Sequence, residues 1–170
     1  MNIDKAIESK AKKIKLIATD IDGVWTDSKM YYTSEGSFMK SFSTYDGMGT
    51  SMLLKNNFIV AMITSEYENI NILKTRAAKL KIKEVYYNEQ DKLSRIKYLS
   101  EKYNLTLSNI AYIGDDLNDL DVLKNVGLSA MPPTSPSLDM FTPDIITKNN
   151  GGDGAFRNLS DIILKAQNFI

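Results

Sequence analysis

Residues 15–26 read KLIATDIDGVWT, an apolar run that ends in two aspartates separated by one residue. The run is short and rich in aliphatic side chains, which is typical of a buried β-strand. Asp20 and Asp22 follow it directly. Two carboxylates at the end of a buried strand repel each other and lose hydration. The segment therefore predicts a strand whose carboxyl end holds either a cation between the two acids or a carboxylate that attacks a substrate.

Strands and helices alternate along the rest of the chain. Strands are predicted at 14–19, 58–64, 85–87, 110–113, 127–130 and 144–146, helices at 49–56, 68–80, 91–103, 117–125 and 155–169, and an antiparallel hairpin at 29–32 and 38–43 with its turn at 34–36. This order predicts a doubly wound α/β fold, a parallel sheet with right-handed crossovers and an inserted hairpin. We expect one domain over residues 1–170.

The composition excludes several kinds of chemistry and partner. The 170 residues contain no cysteine and no histidine, which excludes disulfides, thiolate zinc sites and serine–histidine triads. The 21 basic residues balance 21 acidic ones, so the charge predicts no nucleic-acid or membrane partner. No apolar run approaches the length of a membrane span, and residues 1–13 do not resemble a secretory signal. We therefore expect a soluble, cytoplasmic protein.

Polar residues follow several predicted strands at the edge where parallel sheets bind ligands. Asp20 and Asp22 follow the first strand, Thr64 ends the second, and Asp115 follows the fourth. Lys92 begins the helix after the third strand. Each residue alone has an ordinary explanation, such as a turn, a helix cap or a solvated lysine. Their convergence on one edge predicts a phosphoryl-transfer site.

A phosphate monoester is dianionic, so a carboxylate that attacks it needs cations nearby. We expect Asp20 to attack phosphorus and Asp22 to protonate the leaving oxygen and later deprotonate water. Mg2+ prefers oxygen ligands, which Asp20, the Asp22 carbonyl and Asp115 are predicted to supply. Lys92 is predicted to neutralise the nucleophile, and Thr64 to hold a phosphate oxygen.

The segment 114–119 reads GDDLND and adds two further acids, Asp116 and Asp119. Asp119 is predicted to orient Lys92, and both acids are expected to lie outside the direct metal ligands. An alternative is a calcium loop, but the segment lacks the glycine and the final glutamate of an EF-hand. A capped helix start is the other alternative.

The ordered set Asp20-x-Asp22-Gly23, Thr64, Lys92 and Gly114-Asp115 resembles the haloacid dehalogenase superfamily of phosphatases. More narrowly, residues 20–27 (DIDGVWTD), 46–49 (DGMG) and 151–157 (GGDGAFR), with the long hairpin, resemble the 3-deoxy-D-manno-octulosonate 8-phosphate phosphatases. This resemblance implies an enzyme without a cap domain. It also implies a homotetramer in which hairpins meet at the centre and neighbouring subunits close each active site. Asp46 and Gly47 are then expected to bind substrate.

Two residues depart from that family's usual pattern. Ser65 replaces a glycine, and Glu66 replaces an arginine. Together with Arg76 and Lys79, Glu66 resembles the phosphatases of nine-carbon nonulosonate 9-phosphates, such as KDN or N-acylneuraminate 9-phosphate. Thr64, Ser65, Glu66, Arg76 and Lys79 are therefore expected to bind the substrate. The alternative is that Arg76 and Lys79 are solvated charges on one helix.

The resemblance implies Mg2+-dependent hydrolysis of a 2-keto-3-deoxy sugar acid phosphate, with the nine-carbon substrate favoured over the eight-carbon one. Alternatives of other classes are a phosphoryl-accepting signalling domain and a subunit-association module. Signalling receivers carry the acceptor aspartate on the third strand, where this chain has Tyr86-Tyr87-Asn88. That difference argues against a receiver.

Overall fold

The computed structural model describes residues 4–34, 36, 38–68 and 70–170. The strands are β1 Leu16–Thr19, β2 Tyr31–Tyr32, β3 Phe38–Met39, β4 Ile59–Ile63, β5 Glu84–Tyr86, β6 Ile110–Ile113, β7 Leu128–Met131 and β8 Ile145–Ile146. The helices are α1 Lys5–Ala11, α2 Thr44–Lys55, α3 Ile70–Leu80, α4 Lys92–Lys102, α5 Leu120–Leu123 and α6 Ala155–Ala166. Short 3-10 helices lie at Leu107–Asn109 and Leu117–Asp119.

The main sheet has six strands in the order β5-β4-β1-β6-β7-β8, and every neighbouring pair is parallel. The strand order reverses beside β1, which pairs with β4 on one side and β6 on the other. The predicted doubly wound α/β fold is confirmed, and the described residues form no separate cap domain. In such sheets the ligand site lies at the carboxyl ends of the strands beside this reversal.

Alternating side chains of β1 enter two hydrophobic cores on opposite faces of the sheet. Ile17 packs in the core beneath α1, α2, α3 and α6. Leu16 and Ala18 pack in the core beneath α4 and α5. Both faces of β1 are thus fully buried, which explains the unbroken apolar run in the sequence. Burial on both faces fixes the position of the acids that follow it.

The antiparallel hairpin is present but shorter than predicted. Strands β2 and β3 have two residues each, with Tyr31 opposite Met39 and Tyr32 opposite Phe38. The predicted strand at 38–43 ends early because Ser43 caps α2 by accepting a hydrogen bond from Tyr45 N. Helix α2 therefore begins at Thr44, five residues before the predicted start at 49.

Other helix boundaries also differ from the prediction. Helix α1 was not predicted; the Asp4 side chain caps it by accepting from Ala6 N. The single helix predicted at 117–125 is a 3-10 helix followed by the four-residue α5. The predicted hairpin turn and the start of the helix predicted from 68 include Glu35 and Asn69, which lie outside the described residues. Among the described residues, no helix has the length and apolarity needed to cross a membrane.

Candidate active site

The carboxyl ends of β1, β4 and β6 bring the predicted residues to one depression. A cavity of about 410 Å3 is lined by Asp20, Asp22, Ser28, Asp115, Asp116, Leu117 and Asn118. An adjoining cavity of about 270 Å3 is lined by Asp20, Asp22, Thr64, Ser65, Glu66, Tyr67 and Asn118. Asp20, Asp22 and Asn118 line both. The two cavities are therefore lobes of one site in which the paired aspartates occupy the middle.

Lys92 supplies the positive charge closest to Asp20. Its ammonium lies 3.1 Å from Asp20 Oδ1 and 2.7 Å from Asp119 Oδ1, and its side chain is inaccessible to solvent. Although burial alone lowers the pKa of Lys92, the charges of Asp20 and Asp119 raise it above its ordinary value. Lys92 thus stays protonated beside the nucleophile expected from the sequence.

Negative charge exceeds positive charge around Lys92. Oxygens of Asp20, Asp115 and Asp119 all lie within 4.8 Å of one another. Burial, followed by the charge of Asp119, raises the pKa of Asp20 well above its ordinary value despite Lys92. Burial and the charges of Asp119 and Asp116 raise the pKa of Asp115 to about 7. A cluster of hard oxygen donors with excess negative charge fits a divalent cation such as Mg2+.

Asp119 belongs to this cluster, but its oxygens are already used by the protein. Oδ1 accepts from Lys92 Nζ and from Tyr112 Oη at 2.6 Å. Oδ2 accepts from the backbone N–H groups of Asp115 and Asp116 at 2.9 and 3.2 Å. Four donors fill the acceptor positions of one carboxylate. Asp119 therefore positions Lys92 and the loop of Asp115, which leaves Asp20 and Asp115 as the side chains available to a metal.

Glycine at position 23 is required for the approach of Asp115. Gly23 has a φ of +81°, and a Cβ there would lie 1.7 Å from Asp115 Oδ2. Any larger residue would displace the carboxylate from the loop that carries Asp20 and Asp22. The space that a side chain would fill is thus occupied by an oxygen of Asp115, one of the candidate metal ligands.

Thr64 lies where the sequence predicts a phosphate-binding hydroxyl. It is buried, and its Oγ1 accepts from Glu66 N at 3.1 Å. Ser65 accepts at its Oγ from Asn118 Nδ2 at 2.8 Å. This contact joins the loop after β4 to the 3-10 helix after β6. Asn118, which the sequence analysis did not single out, therefore helps to shape the depression.

Lys40 is a second residue that the sequence analysis missed. It follows β3, and its Nζ donates to both oxygens of Asp22, at 2.7 and 2.6 Å. Its side chain is only 1% exposed. A lysine inside the predicted hairpin strand 38–43, in a chain whose site is rich in acids, was the available signal. The hairpin thus supplies a charged group to the candidate site.

Arg76 and Lys79 lie in a neighbouring cavity rather than beside Asp20. This cavity, of about 430 Å3, is also lined by Lys40, Phe42, Asn71, Ile72 and Thr75. The Arg76 guanidinium donates to the Ser43 carbonyl at 2.8 Å and lies 5.3 Å from the ring centroid of Phe42 and 5.9 Å from that of Trp25. These contacts support the start of α2, so Arg76 is engaged by the fold. Lys79, which also lines that cavity, is exposed.

Asp46 and Gly47, which the sequence predicts to bind substrate, lie buried in α2, and their substrate role stays a prediction. Asp46 is fully buried, and its Oδ1 accepts from Arg157 N at 2.8 Å in the first turn of α6. The helix lacks a side-chain cap of its own because Gly154 precedes it. Asp46 therefore caps α6 from α2. Gly47 is buried in α2, where a Cβ would lie 3.2 Å from Arg76 Nη2.

Comparison with known proteins identifies a consistent set of relatives. Residues 10–159 match the family model of haloacid dehalogenase-like hydrolases. The chain is 35% identical to the 3-deoxy-D-manno-octulosonate 8-phosphate phosphatase of Salmonella typhi over 161 residues, which cover 95% of this chain and 85% of the relative.

Solved structures give the same result. The phosphatase of that name from Yersinia pestis superposes with a TM-score of 0.92 at 33% identity, covering 98% of this chain and 89% of the other. The Moraxella catarrhalis phosphatase, solved with a magnesium ion, a phosphate ion and a KDO molecule, gives a TM-score of 0.90 at 38% identity, covering 95% and 92%.

Proposed function

The chain belongs to the haloacid dehalogenase-like hydrolases and, within them, to the 3-deoxy-D-manno-octulosonate 8-phosphate phosphatase family, and from this premise we propose that it hydrolyses the phosphate monoester of a 2-keto-3-deoxy sugar acid. The observation that carries the proposal is the position of Asp20 and Asp22 in one cavity, with Lys92 beside Asp20. One bound substrate would then contact a nucleophile and a proton donor, with a fixed cation beside the nucleophile.

Mg2+ is the cofactor that the donor set and the Moraxella relative support. Asp20, Asp115 and the backbone carbonyl of Asp22 would hold it. When bound, it would offset the negative charge of the phosphate and of the surrounding carboxylates.

The residues divide the reaction into two displacements. Asp20 attacks phosphorus, the bond from phosphorus to the sugar oxygen breaks, and Asp22 gives that oxygen a proton. In the second step Asp22 removes a proton from water, the water oxygen attacks phosphorus, and the bond to Asp20 breaks. Phosphate leaves and both carboxylates return to their starting state. Lys92 stabilises Asp20 as an anion before the first step and after the second.

Thr64 lines the cavity that contains Asp20, so its hydroxyl would contact a phosphate oxygen. Lys92 would act through Asp20, which its buried ammonium contacts at 3.1 Å. The remaining side chains of the depression, Ser65, Glu66 and Asn118, would face the leaving group. These residues and the neighbouring cavity would contact the sugar acid.

Two substrates remain candidates. The name of the relatives makes the eight-carbon octulosonate 8-phosphate the first candidate. The second is a nine-carbon nonulosonate 9-phosphate, and the observation that favours it is the presence of Glu66 in the depression. The Arg76 guanidinium donates to the Ser43 carbonyl. This contact weakens the predicted substrate role of Arg76, which had favoured the nine-carbon substrate.

Phosphate release tests the proposal. The purified protein should release phosphate from one or more ulosonate phosphates with Mg2+ and release none after exhaustive chelation. Octulosonate 8-phosphate, KDN 9-phosphate and N-acetylneuraminate 9-phosphate would be compared by kcat/KM. A hexose 6-phosphate, which has no carboxylate, is the matched control. Equal kcat/KM for the hexose phosphate would contradict a sugar acid as the substrate.

We also propose that four copies assemble around the hairpin. Tyr31, Tyr32 and Met39 expose 43%, 65% and 66% of their surface. The neighbouring Tyr45 and Met48 expose 65% and 56%. Closed association hides such a surface and the strand edges beside it. Because the described residues form no cap domain, a neighbouring subunit would also help to enclose the substrate.

A further inference from the structure

Lys40 connects the hairpin to the proposed proton donor. Its ammonium contacts both oxygens of Asp22, at 2.7 and 2.6 Å, although the two residues are 18 positions apart. Thr26 Oγ1 also donates to Asp22 Oδ1, at the longer distance of 3.2 Å. A donor shared by both oxygens restricts rotation of the carboxylate more than a single hydroxyl does. The orientation of Asp22 thus depends on where the hairpin places Lys40.

Glu66 lies on the other side of the same ammonium. Its Oε2 is 3.6 Å from Lys40 Nζ. Its Oε1 accepts from the backbone N–H groups of Tyr67 and Glu68, at 3.0 and 2.9 Å, which anchors the side chain in the loop after β4. An almost completely buried ammonium needs such compensation by carboxylates. Lys40 therefore bridges three segments: the loop after β1, the hairpin and the loop after β4.

We propose that Lys40 is a positioning residue for the proton transfers that Asp22 makes. The inference rests on the proposed function, in which Asp22 protonates the departing sugar oxygen and, as the carboxylate that an ammonium stabilises, then removes a proton from water. Asp22 is partly exposed, with 33% of its side chain accessible, so the rest of its surroundings leave it room to rotate. Lys40 fixes the carboxylate facing the cavity that contains Asp20. The hairpin thereby contributes to the chemistry as well as to assembly.

The nature of the leaving group separates this role from a structural one. A sugar alkoxide is a poor leaving group and requires the proton, whereas p-nitrophenolate departs without one. In Lys40→Met, the first-turnover rate with the sugar acid phosphate should fall roughly 10-fold to 100-fold, part of what general acid catalysis contributes. For p-nitrophenyl phosphate, the burst of p-nitrophenolate in the first turnover should change less than about threefold, since this step needs no proton from Asp22 and leaves Asp20 and Lys92 untouched.

Lys102→Met is the matched control. Lys102 forms an ion pair of 2.7 Å with Glu84, at the start of β5 and away from the carboxyl ends of the strands. The Lys102→Met variant should leave the ratio of sugar acid phosphate turnover to p-nitrophenyl phosphate turnover unchanged. Equal losses of the first-turnover rate with both substrates in Lys40→Met would show that Lys40 supports only the fold, and unchanged rates would also overturn the proposal.

Chemical rescue gives a second measurement, because the chain contains no cysteine. The Lys40→Cys variant offers one thiol, which 2-bromoethylamine alkylates to a side chain close to lysine in length and charge. Because the Lys40 side chain is only 1% exposed, complete alkylation of the cysteine would be verified by mass spectrometry before activity is measured. Aminoethylation should restore sugar acid phosphate turnover, whereas alkylation by iodoacetamide should not. Equal restoration by both reagents would overturn the requirement for an ammonium.

The two proposals fail in different ways. Wild-type protein that releases no phosphate from any substrate with Mg2+ would refute the proposed function. The position of the Asp22 carboxylate in a crystal structure of Lys40→Met would then decide the positioning role alone. A carboxylate that keeps its wild-type orientation in that variant would overturn it, and a rotated one would support it.

Discussion

The ammonium of Lys92 lies 2.7 Å from Asp119 Oδ1, and neither side chain is exposed to solvent. Asp119 also accepts from Tyr112 Oη and from the backbone N–H groups of Asp115 and Asp116. The same carboxylate thus holds the lysine beside Asp20 and shapes the loop that carries Asp115. We therefore expect Asp119 to affect catalysis through its neighbours rather than by contacting a metal.

This arrangement predicts different outcomes for Asp115→Asn and Asp119→Asn. The first should weaken Mg2+ binding strongly while leaving the metal-free fold intact, because Asp115 is a proposed ligand. The second should destabilise the metal-free protein by about 3–5 kcal/mol, because it leaves the buried Lys92 with one partner fewer. Calorimetric Mg2+ titration and urea unfolding in chelator would measure the two effects. Equal loss of Mg2+ affinity with an unchanged fold would identify Asp119 as a direct ligand instead.

The nucleophile is tested by Asp20→Asn and by trapping. The amide cannot form an acyl phosphate, so turnover of every phosphate ester should disappear. Asp22→Asn should retain Mg2+ binding, since its backbone carbonyl is the proposed ligand, but should lose turnover of alkyl phosphates. A beryllium fluoride adduct located by crystallography should lie on Asp20. An adduct on Asp22 or Asp115 would reassign the nucleophile.

Asp46 makes the stability of the protein depend on pH. Burial raises its pKa to about 6, against the effects of the Arg157 N–H and the charge of Arg76. An unfolded aspartate has a pKa of about 3.9, so the folded protein holds the proton more tightly between these values. The stability that Asp46 contributes is therefore fully present below about pH 4 and is lost as the pH rises through about 6.

Asp46→Asn removes this dependence and keeps an oxygen that accepts from Arg157 N. The free energy of unfolding of the variant relative to wild type should increase by about 2–3 kcal/mol between pH 4 and pH 7. Urea unfolding of both proteins in chelator at several pH values would measure the difference. Subtracting the wild-type curve removes the contributions of Asp20 and Asp115. A difference that stays constant with pH would show that Asp46 is not buried as a charge.

The parts of the structure that the sequence predicted depend on local patterns. The apolar run before Asp20 predicts β1, and β6 begins and ends at the predicted residues, 110 and 113. The rule that parallel strands present ligands at their carboxyl ends then brings Asp20, Thr64 and Asp115 together without any knowledge of their contacts. Such predictions succeed because strand burial and strand direction are determined by short, local segments of the sequence.

The parts that the sequence did not predict depend on contacts between distant segments. Lys40 reaches Asp22 through the bend of the hairpin, which no local pattern encodes. Asp46 caps α6 by accepting from Arg157 N, 111 positions away in the sequence, and no local pattern predicts this contact. The substrate role expected for Arg76 rests on a family resemblance. That resemblance does not reveal that the guanidinium donates to the Ser43 carbonyl.

Assembly through the hairpin is tested by placing charge in the exposed apolar surface. Sedimentation or light scattering of wild-type protein at micromolar concentration should give about four times the chain mass of 19.1 kDa. The double variant Tyr32→Glu, Met39→Glu should dissociate, because four copies would bring eight like charges together. Its far-ultraviolet circular dichroism should remain unchanged. A wild-type monomer, or a double variant that keeps the wild-type mass, would contradict this assembly.

The last prediction concerns how the substrate's carboxylate is recognised. Lys40 lines the cavity that contains Lys79 and also contacts Asp22, so a sugar acid that reaches from Asp20 past Lys40 would place its far end near Lys79. Lys79→Met should then lower kcat/KM for the sugar acid phosphate roughly 10-fold, the effect of losing about 1.5 kcal/mol, and leave p-nitrophenyl phosphate unaffected. Lys74→Met is the control on the same helix, since Lys74 lies over the Tyr87 ring instead of lining the cavity.

Arg76→Met should instead lower the melting temperature and reduce turnover of both substrates, because the guanidinium supports the start of α2. A selective loss of sugar acid turnover in Arg76→Met, with the melting temperature unchanged, would return Arg76 to the substrate site and strengthen the case for a nine-carbon substrate.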